Sequence, residues 1–331
     1  DSVALDDSYL GTEDLSISGV LVFDFVPGHG IATGAVLSNV ITYGSLTPTA
    51  QALQHNLSSA YSVVATDSGL GAGSITVTIT SFFDRTFSVA SGLWSVGANW
   101  AGPAPSAAED ILLDGADDVI LDINTPMVGS LTMQGTSQIT LDAYSLNLST
   151  TSRAELGTTI VLDNDLSDLQ AGTALYVDGT LDWFGGNIGG TQVFVRGSLN
   201  VTEAVLPKSL SAGTQLIIDG TALFTGPPGE TTVAGGAGSK IVNNGQMTVD
   251  SSNHYLNVPT FENNAGAELA LRADTDDVTL TIANGFTNDG EILLDDPGVG
   301  SRFDSTLIVD LGVLSNNGVI RFGNTDGGGL G

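Results

Sequence analysis

The chain has 331 residues and no cysteine, and its 37 acidic and eight basic residues give a formal net charge of −29 at pH 7. Such a field repels phosphate backbones and anionic headgroups, which argues against nucleic acid or a membrane surface as a partner. The sequence contains no apolar run of ~18 residues, so membrane insertion is not predicted. The missing cysteine excludes disulfides, thiolate metal sites and thiol catalysis, while 43 glycines and 6% aromatic residues are typical of many short strands joined by tight turns.

Residues 1–86 are predicted to form a small β-sandwich. Segments rich in β-branched and aromatic residues, punctuated by glycine, proline and aspartate, predict strands at residues 20–26, 39–43, 60–65 and 74–80. One helix is predicted between them, because Thr47 can cap it and Pro48 suits its first turn. Its apolar face would hold Ala50, Leu53 and Leu57.

The first 21 residues carry an Asp-Asp-Ser-Tyr phrase at 6–9, Glu-Asp at 13–14, Leu-x-Ile at 15–17 and Val-Leu at 20–21. This opening resembles the start of the cadherin-like and Ig-like tandem modules of large bacterial surface proteins. The resemblance implies an extracellular module that binds calcium. Asp6, Asp7, Glu13 and Asp14 form a carboxylate cluster that is a candidate site for this calcium, and solvated loop charge is the alternative.

Residues 87–110 are predicted to be a junction that caps the first end of the next domain. Trp94 and Trp100 lie six residues apart and are followed by Pro103 and Pro105. The tryptophans are large enough to cover an apolar end, and the prolines stop strand pairing from running outward. The phrase resembles the one that leads into β-helical repeats in bacterial surface and autotransporter-like proteins. The alternative is that both are ordinary core tryptophans in a linker.

From residue 111 the chain repeats. Four copies of a phrase with an apolar residue, a spacer, Asn, Asn or Asp, Gly and a short strand begin at residues 241, 261, 286 and 314, with glycines at Gly245, Gly266, Gly290 and Gly318. The steps of 21, 24 and 28 residues between these glycines indicate stacked coils. Glycine fits a strained, left-handed corner, and asparagine tolerates such a corner while its amide can hydrogen-bond to its like in the next coil.

A second phrase, Asp or Arg followed by Gly and Thr or Ser, recurs at Gly179, Gly197 and Gly220. Residues 111–331 therefore predict a parallel β-helix of roughly ten coils, on the order of 50 Å long and right-handed by the rule for parallel crossovers. The region resembles the β-helical passenger and adhesin-type repeats of bacterial surface proteins. The whole chain is thus predicted to be all-β, with a small β-sandwich followed by a right-handed parallel β-helix, or solenoid.

Carboxylates cluster in several turns, and one cluster is a calcium candidate. Calcium takes about six to eight oxygen ligands from carboxylates, carbonyls and water. Asp163, Asp165 and Asp168 lie within six residues and can supply three of them. The alternative is solvated loop charge that keeps an apolar rod soluble.

Two aromatic pairs are candidates for contact with a ligand or a partner. Trp183 and Phe184 lie beside glycines at a corner, where an exposed pair can stack on a sugar or touch a partner; packing inside the coil is the alternative. His254 and Tyr255 can mark a sugar-binding patch, and an exposed turn is the alternative.

These features predict a non-catalytic, extracellular structural or adhesive protein of a bacterial cell surface. Its expected partners are copies of itself, assembled into a surface layer, sheath or filament, or other surface proteins and glycans, and calcium is the expected cofactor. The alternative is a carbohydrate-binding or polysaccharide-cleaving β-helix protein. Hydrolysis needs two carboxylates a few ångströms apart, which residues of different coils such as Asp250 and Asp276 can supply. Scattered bases and few clustered aromatic residues favour the structural interpretation.

Overall fold

The computed structural model describes residues 20–23, 36–43, 52–55, 61–67, 73–81, 83–100, 102–202, 206–226, 230–250, 252–273, 276–295 and 303–323. The chain divides into two compact units, Asp1–Asp84 and Arg85–Gly331. The description of the first unit is limited to the backbone of five strands.

In the first unit, Val20–Phe23 pairs in parallel with Ala52–His55. A second sheet has Gly73–Ser81 at its centre, antiparallel to Val36–Tyr43 on one side and to Tyr61–Asp67 on the other. The helix predicted from Thr47 is wrong at Ala52–His55, which is a strand. Its four residues pair one by one with Val20–Phe23, and this non-local pairing overrides a local helical preference.

The second unit is a right-handed parallel β-solenoid of about nine turns, which confirms the fold predicted from the repeats. Three parallel sheets run along it, and each strand pairs with strands of the neighbouring coils. The first sheet contains Arg85–Thr86, Ile111–Gly115, Leu131–Gly135, Ser152–Ala154, Leu175–Val177, Gln192–Val195, Gln215–Ile218, Lys240–Asn243, Thr260–Asn263, Phe286–Asn288 and Leu314–Asn316.

The other two sheets complete each coil. The second sheet contains Ser91–Leu93, Asp118–Leu121, Gln138–Leu141, Thr159–Leu162, Thr180–Trp183, Ser198–Val201, Thr221–Phe224, Gln246–Asp250, Glu268–Arg272, Glu291–Asp295 and Val319–Gly323. The third contains Ser145–Asn147, Asp168–Ala171, Gly186–Gly190, Lys208–Leu210, Glu230–Gly235, Ser252–Asn257, Val278–Ile282 and Ser305–Val309. The one helical element among the described residues is a 3₁₀ turn, Gly97–Asn99.

Strand alternation decides which side chains enter the core. In Gln138–Leu141 and Thr180–Trp183 the second and fourth residues are buried, while the first and third are partly exposed. Parallel register then stacks Ile139, Ile160 and Leu181 in one column, each with 0% exposure. Burial of each such side chain stabilises the folded state by about 1.5–3 kcal/mol. The stacked coils share one apolar core that extends from Phe87 to Ile292.

A column of small residues forms the corner between the first and second sheets. Strand register places there Asp117, Ser137, Thr158, Gly179, Gly197, Gly220, Gly245, Ala267, Gly290 and Gly318. The prediction of left-handed corners is wrong for these glycines, since none of them has a positive φ. Glycine is required by close approach instead, because a Cβ on Gly220 would collide with the carbonyl oxygen of Gly197.

The predicted repeat alignment needs one correction at Gly266. Pairing of Gln246 with Glu268 puts Ala267, rather than Gly266, in the column of Gly245. Gly266 lies in a wider turn with a φ of 86° and open space around its Cα. Among the described residues, the non-glycine residues with positive φ are two alanines, Ala108 and Ala143, so no described asparagine adopts a left-handed corner.

Candidate functional site

Part of the first end of the solenoid is covered by its own chain. A bridge pairs Phe87 with Trp100 in antiparallel fashion, and the Ser88 N–H donates to the Asn99 carbonyl oxygen at 2.8 Å. The Asn99 side-chain amide donates to the Leu93 carbonyl oxygen, in the first strand of the second sheet, at 2.9 Å. Asn99 and Trp100 therefore satisfy some of the backbone groups that would otherwise be available for pairing with another strand.

An aromatic layer lies under this cover. Phe87, Trp94 and Trp100 are at most 3% exposed, and their rings meet edge to face, with centroid distances of 4.9 Å for the tryptophan pair and 5.0 Å for Phe87 and Trp100. The Trp100 Nε1–H donates to the Trp94 carbonyl oxygen at 2.8 Å, whereas the buried Trp94 Nε1 has no hydrogen-bond partner. The two tryptophans singled out in the sequence are thus part of the core at the first end.

The last coil, residues 303–323, ends the three sheets among the described residues. Its strands Ser305–Val309, Leu314–Asn316 and Val319–Gly323 each have a neighbour on one side only, which leaves backbone N–H and C=O groups unpaired on the other. Its exposed large apolar side chains, with their exposed fractions, are Ile308 (42%), Leu311 (64%), Val313 (71%), Val319 (47%), Ile320 (37%) and Phe322 (81%).

Two of these side chains belong to the core columns. Ile320 is in register with Ile292, which is 0% exposed, and Phe322 with Leu294, which packs against the core. No described strand lies beyond Ile320 and Phe322, and both side chains are exposed. The last described coil therefore carries an exposed apolar patch, and such patches mark interaction sites.

A ladder of asparagine side chains runs through the interior to the last described coil. The Nδ2 group of Asn243 donates to Asn263 Oδ1 at 2.7 Å, Asn263 to Asn288 at 2.6 Å, and Asn288 to Asn316 at 2.6 Å. The first three are 0% exposed, and Asn316 is exposed. Every rung donates toward the last coil, where Asn316 Nδ2 donates to the Gly318 carbonyl oxygen at 3.4 Å.

A second ladder follows the outer side of the same corner. Asn244 Nδ2 donates to Asp219 Oδ1 at 2.8 Å, Asn264 Nδ2 to Asn244 Oδ1 at 2.7 Å, and Asn317 Nδ2 to Asp289 Oδ1 at 2.9 Å. The two ladders confirm the prediction that the asparagines of the repeated phrase bond to their equivalents in adjacent coils. They account for both polar positions of that phrase.

One carboxylate lies inside the corner column. Asp117 is 8% exposed and its Oδ2 has no hydrogen-bond partner. Burial, with a further contribution from the charge of Asp114, raises the pKa of Asp117 to about 6, and a backbone hydrogen bond at Asp114 offsets part of this. In the next two coils the column holds Ser137 and Thr158, whose hydroxyls donate to the backbone carbonyls of the residues three before them.

The candidate calcium ligands do not converge where the structure describes them. Asp163 and Asp165 are exposed, and Asp168 Oδ1 accepts hydrogen bonds from the Asn187 amide at 2.7 Å and the Gln170 amide at 2.5 Å. No group of three or more His, Asp or Glu side chains in the described ranges is arranged to hold a metal ion. The other candidates, Asp6, Asp7, Glu13 and Asp14, lie outside those ranges.

The two aromatic pairs singled out in the sequence are divided between core and surface. Trp183 is 0% exposed and its Nε1–H donates to the Gly186 carbonyl oxygen at 3.2 Å, so the indole packs inside the coil. His254 is 1% exposed, with its ring edge-on to Phe224 at 6.1 Å between centroids. Phe184 and Tyr255 are half-buried and keep partial access to the flank.

Sequence reasoning missed a cluster on the outer face of the first sheet. Tyr176 and Phe194 stack at 4.9 Å between centroids, and the Arg196 guanidinium lies 4.4 Å from the centre of the Tyr176 ring. Asp178 pairs with Arg153 at 2.7 Å and with Arg196 at 3.8 Å. The signal was present, because Tyr176 and Phe194 each precede a corner glycine by three residues and this spacing places them on one outward column.

Basic side chains of the described part are mostly tied to acids. Ion pairs join Arg85 to Glu109, Arg153 and Arg196 to Asp178, Lys240 to Glu262, and Arg321 to Glu291. Lys208 is buried and donates to the Leu206 carbonyl oxygen at 3.2 Å. These contacts hold coils together and neutralise local charge.

The geometry defines the class of the second unit, a right-handed parallel β-solenoid. No protein-family model, curated protein or solved structure matches the chain. Within the described ranges, no helix has the length and apolar character needed to span a membrane.

Proposed function

We propose that the chain is a non-catalytic structural or adhesive part of a protein on the outside of a bacterial cell. The solenoid acts as a stiff spacer, and the exposed apolar patch of its last described coil contacts neighbouring surface proteins or other copies of the chain. The observation that carries this proposal is that exposed apolar patch, with Phe322 81% exposed. An apolar patch of this kind, on a protein with a net charge of −29, is suited to contact another surface.

Two further features support the extracellular assignment. The opening of the chain resembles cadherin-like and Ig-like modules, which here would form a β-sandwich that binds calcium through Asp6, Asp7, Glu13 and Asp14. The acidic composition, with a sequence pI near 4.1, suits a medium rich in salt, where self-repulsion is screened. We place the calcium of this proposal in the first unit, because the carboxylates of the 163–168 turn do not converge.

Display on cells tests the adhesive role. The whole chain is tethered by its N-terminus to a laboratory bacterium, with and without calcium, and cell aggregation and attachment to other bacteria are measured. We expect attachment by cells that carry the wild-type chain, and a loss with Phe322→Asp. Cells that attach no better than undecorated ones in both media would contradict the adhesive role.

The non-catalytic part of the proposal has its own test. Purified chain is incubated with neutral and anionic polysaccharides, and released products are measured by chromatography. Product release that is lost in Asp250→Asn or Asp276→Asn would replace the structural proposal by the polysaccharide-cleaving one.

Glycan binding is the second candidate, favoured by one specific feature. Tyr176, Phe194 and Arg196 form a cluster of aromatic and basic side chains on the outer face of the first sheet. A glycan array compares the wild type with Tyr176→Ala and, as the matched control, Tyr144→Ala on another part of the surface. Hits that disappear only with Tyr176→Ala support this candidate, and an array without hits removes it.

A further inference from the structure

The outer face of the second sheet carries exposed apolar side chains in its first coils. Strand register places in one outward column Leu93, Ile120, Thr140 and Val161. Leu93 is 41% exposed and Ile120 is 38% exposed. Val96 and Ile123, which follow these two residues by three positions, are both 40% exposed. Four large apolar side chains are therefore accessible on the flank of the first two coils.

A column of aspartates runs beside this apolar column. Three core leucines are in register in successive coils, and the residue that follows each of them is an aspartate, namely Asp122, Asp142 or Asp163. Successive coils are about 4.8 Å apart, so the flank carries one carboxylate at each step. The column ends after three coils, because the equivalent residue of the next coil is Phe184.

The charge of these aspartates is not balanced by nearby bases of the same chain. Residues 86–152 contain seven acidic residues and no lysine, arginine or histidine. The hydrogen bonds that the column accepts come from neutral donors: Asp122 Oδ1 accepts from the Ser95 N–H at 2.9 Å, and Asp142 Oδ1 from Asn164 Nδ2 at 3.3 Å. The column therefore keeps a local negative charge that a partner with basic groups would neutralise.

We propose that this flank docks a cationic, amphipathic segment of a partner protein. We call it the acidic face and define it by Leu93, Val96, Ile120, Ile123 and the three aspartates Asp122, Asp142 and Asp163. A segment that alternates lysine or arginine with apolar residues matches both of its columns, because its apolar side chains cover the exposed ones and its charges meet the carboxylates. The inference rests on the proposed function, since it names the chemistry of one partner of an adhesive protein.

The charge of the acidic face argues against other occupants. A second copy of the chain also carries a net charge of −29, and anionic lipid or nucleic acid is repelled in the same way. Calcium needs several oxygen ligands that converge on one point, whereas no group of three or more acidic or histidine side chains in the described ranges is arranged to do so. A basic segment needs no such convergence, because each of its charges can pair with a separate carboxylate.

The size of the acidic face fits a short segment that binds weakly and reversibly. Four coils span about 14 Å along the solenoid, which is the length of about five residues of extended chain. Salt screens the attraction between exposed charges, so the dissociation constant is expected to rise about tenfold when sodium chloride is raised from about 20 mM to about 300 mM. The apolar contacts are not screened, so binding is weakened by salt and not abolished.

Binding of a labelled peptide by the whole chain tests the proposal. The probe is a synthetic peptide of alternating lysine and leucine, and its fluorescence anisotropy is measured as the chain is added. We expect a dissociation constant in the micromolar range at low salt. A peptide with serine in place of leucine is expected to bind about tenfold more weakly, because it keeps the charges and loses the apolar contacts.

Two pairs of variants separate the acidic face from the rest of the acidic surface. Ile120→Ser is expected to weaken binding about fivefold or more. Its matched control is Leu223→Ser, since Leu223 lies in the same outward column and is also 38% exposed, but the coil of Leu223 has Thr225 where the coil of Ile120 has Asp122.

The charge variant is Asp142→Asn combined with Asp163→Asn, which is expected to weaken binding about tenfold at low salt and much less at about 300 mM salt. Asp304→Asn combined with Asp310→Asn is the matched control. All four aspartates are exposed, so both double variants remove the same charge, and the control removes it from the last described coil.

A cross-link gives an independent readout of the location. The chain has no cysteine, so a single introduced thiol can carry a photoreactive label. Thr140→Cys places the label between the two columns of the acidic face, and Thr248→Cys places it further along the same outward column. We expect the labelled Thr140→Cys chain to capture the lysine–leucine peptide, and the labelled Thr248→Cys chain to capture little of it.

Other results overturn the proposal in recognisable ways. Equal weakening by the test and control variants means that the net charge of the whole chain attracts the peptide. Self-association in sedimentation that Ile120→Ser abolishes means that a second copy occupies the face, and displacement of the peptide by calcium at constant ionic strength means that the aspartates hold a metal ion. A chain that fails to bind the peptide while its displayed form still attaches to cells contradicts this inference and leaves the adhesive function in place.

Discussion

The interior asparagine ladder allows a prediction with a built-in control, because Asn263 and Asn264 are neighbours in one phrase and differ mainly in burial. Asn263 is 0% exposed, accepts a hydrogen bond from Asn243 and donates to Asn288 Oδ1 and to the Glu291 carbonyl oxygen, at 2.7, 2.6 and 3.0 Å. Asn264 makes one side-chain bond in an exposed position, to Asn244 at 2.7 Å.

Asn263→Ala removes three buried bonds. Each contributes about 1 kcal/mol, and the acceptors left in the core keep part of their desolvation cost. With the small cavity added, we expect a loss of about 3–4 kcal/mol in the free energy of unfolding. Asn264→Ala is expected to cost about 0.5 kcal/mol, because water replaces its single partner.

Urea unfolding followed by far-ultraviolet circular dichroism measures both variants. A double-mutant cycle sharpens the result: Asn263→Ala with Asn288→Ala is expected to show a coupling of about 1 kcal/mol, and Asn264→Ala with Asn288→Ala close to none. If the two single variants differ by less than about 0.5 kcal/mol, the buried ladder does not hold the coils together and the reasoning fails.

Three further predictions follow from the corner column and the covered end. Gly245→Ala is expected to lower the free energy of chemical unfolding by about 2–3 kcal/mol, because its Cβ would meet the backbone of the preceding coil. Gly266→Ala, at a position with a positive φ but open space, is expected to lower it by about 1 kcal/mol. Equal losses would contradict the close-approach explanation. Because the pKa of Asp117 is raised from 3.8 to about 6, the folded state binds the proton more tightly, and wild-type stability falls as the pH rises from about 4 to about 6. Asp117→Ser removes this dependence, so the difference in free energy of unfolding between the variant and the wild type is expected to be about 2 kcal/mol more favourable to the variant at pH 7.5 than at pH 4. A difference that does not change with pH would refute the prediction. Trp100→Phe is expected to destabilise by about 1 kcal/mol more than Trp94→Phe in thermal unfolding, because the Trp100 N–H has an acceptor and the Trp94 N–H has none; the reverse order would show that the assigned bond is not formed.

The repeated phrase shows how far local sequence reached. Each Asn-Asn-Gly copy meets the same steric and hydrogen-bonding requirement in its coil, so the ladder from Asn243 to Asn316 could be predicted without coordinates. Alignment of the copies by glycine failed at Gly266, because a turn can widen by two residues while strand pairing keeps Ala267 in the column. The number of residues between two glycines measures the length of chain in a coil, whereas the strand register decides which residues stack on each other.

The candidate site residues also show where local sequence stops and three-dimensional register takes over. Trp183 and His254 were candidates for contact at the surface, with packing inside the coil left open for Trp183. Strand parity turns both inward, and parity depends on where each short strand begins. The stacked pair of Tyr176 and Phe194 went unnoticed because its members are 18 residues apart and meet only after one full coil.

The sequence by itself determined that this protein is an all-β chain with a parallel solenoid, because short alternating strands, small corners and amide-bearing phrases recur at the length of one coil. Only the tertiary structure decided which side chains meet. The antiparallel bridge between Phe87 and Trp100 and the stacking of Tyr176 on Phe194 depend on how turns and strands align in space. The Trp94 and Trp100 phrase predicted a cap at the first end, but its partners are set by contacts between coils, which no local pattern encodes.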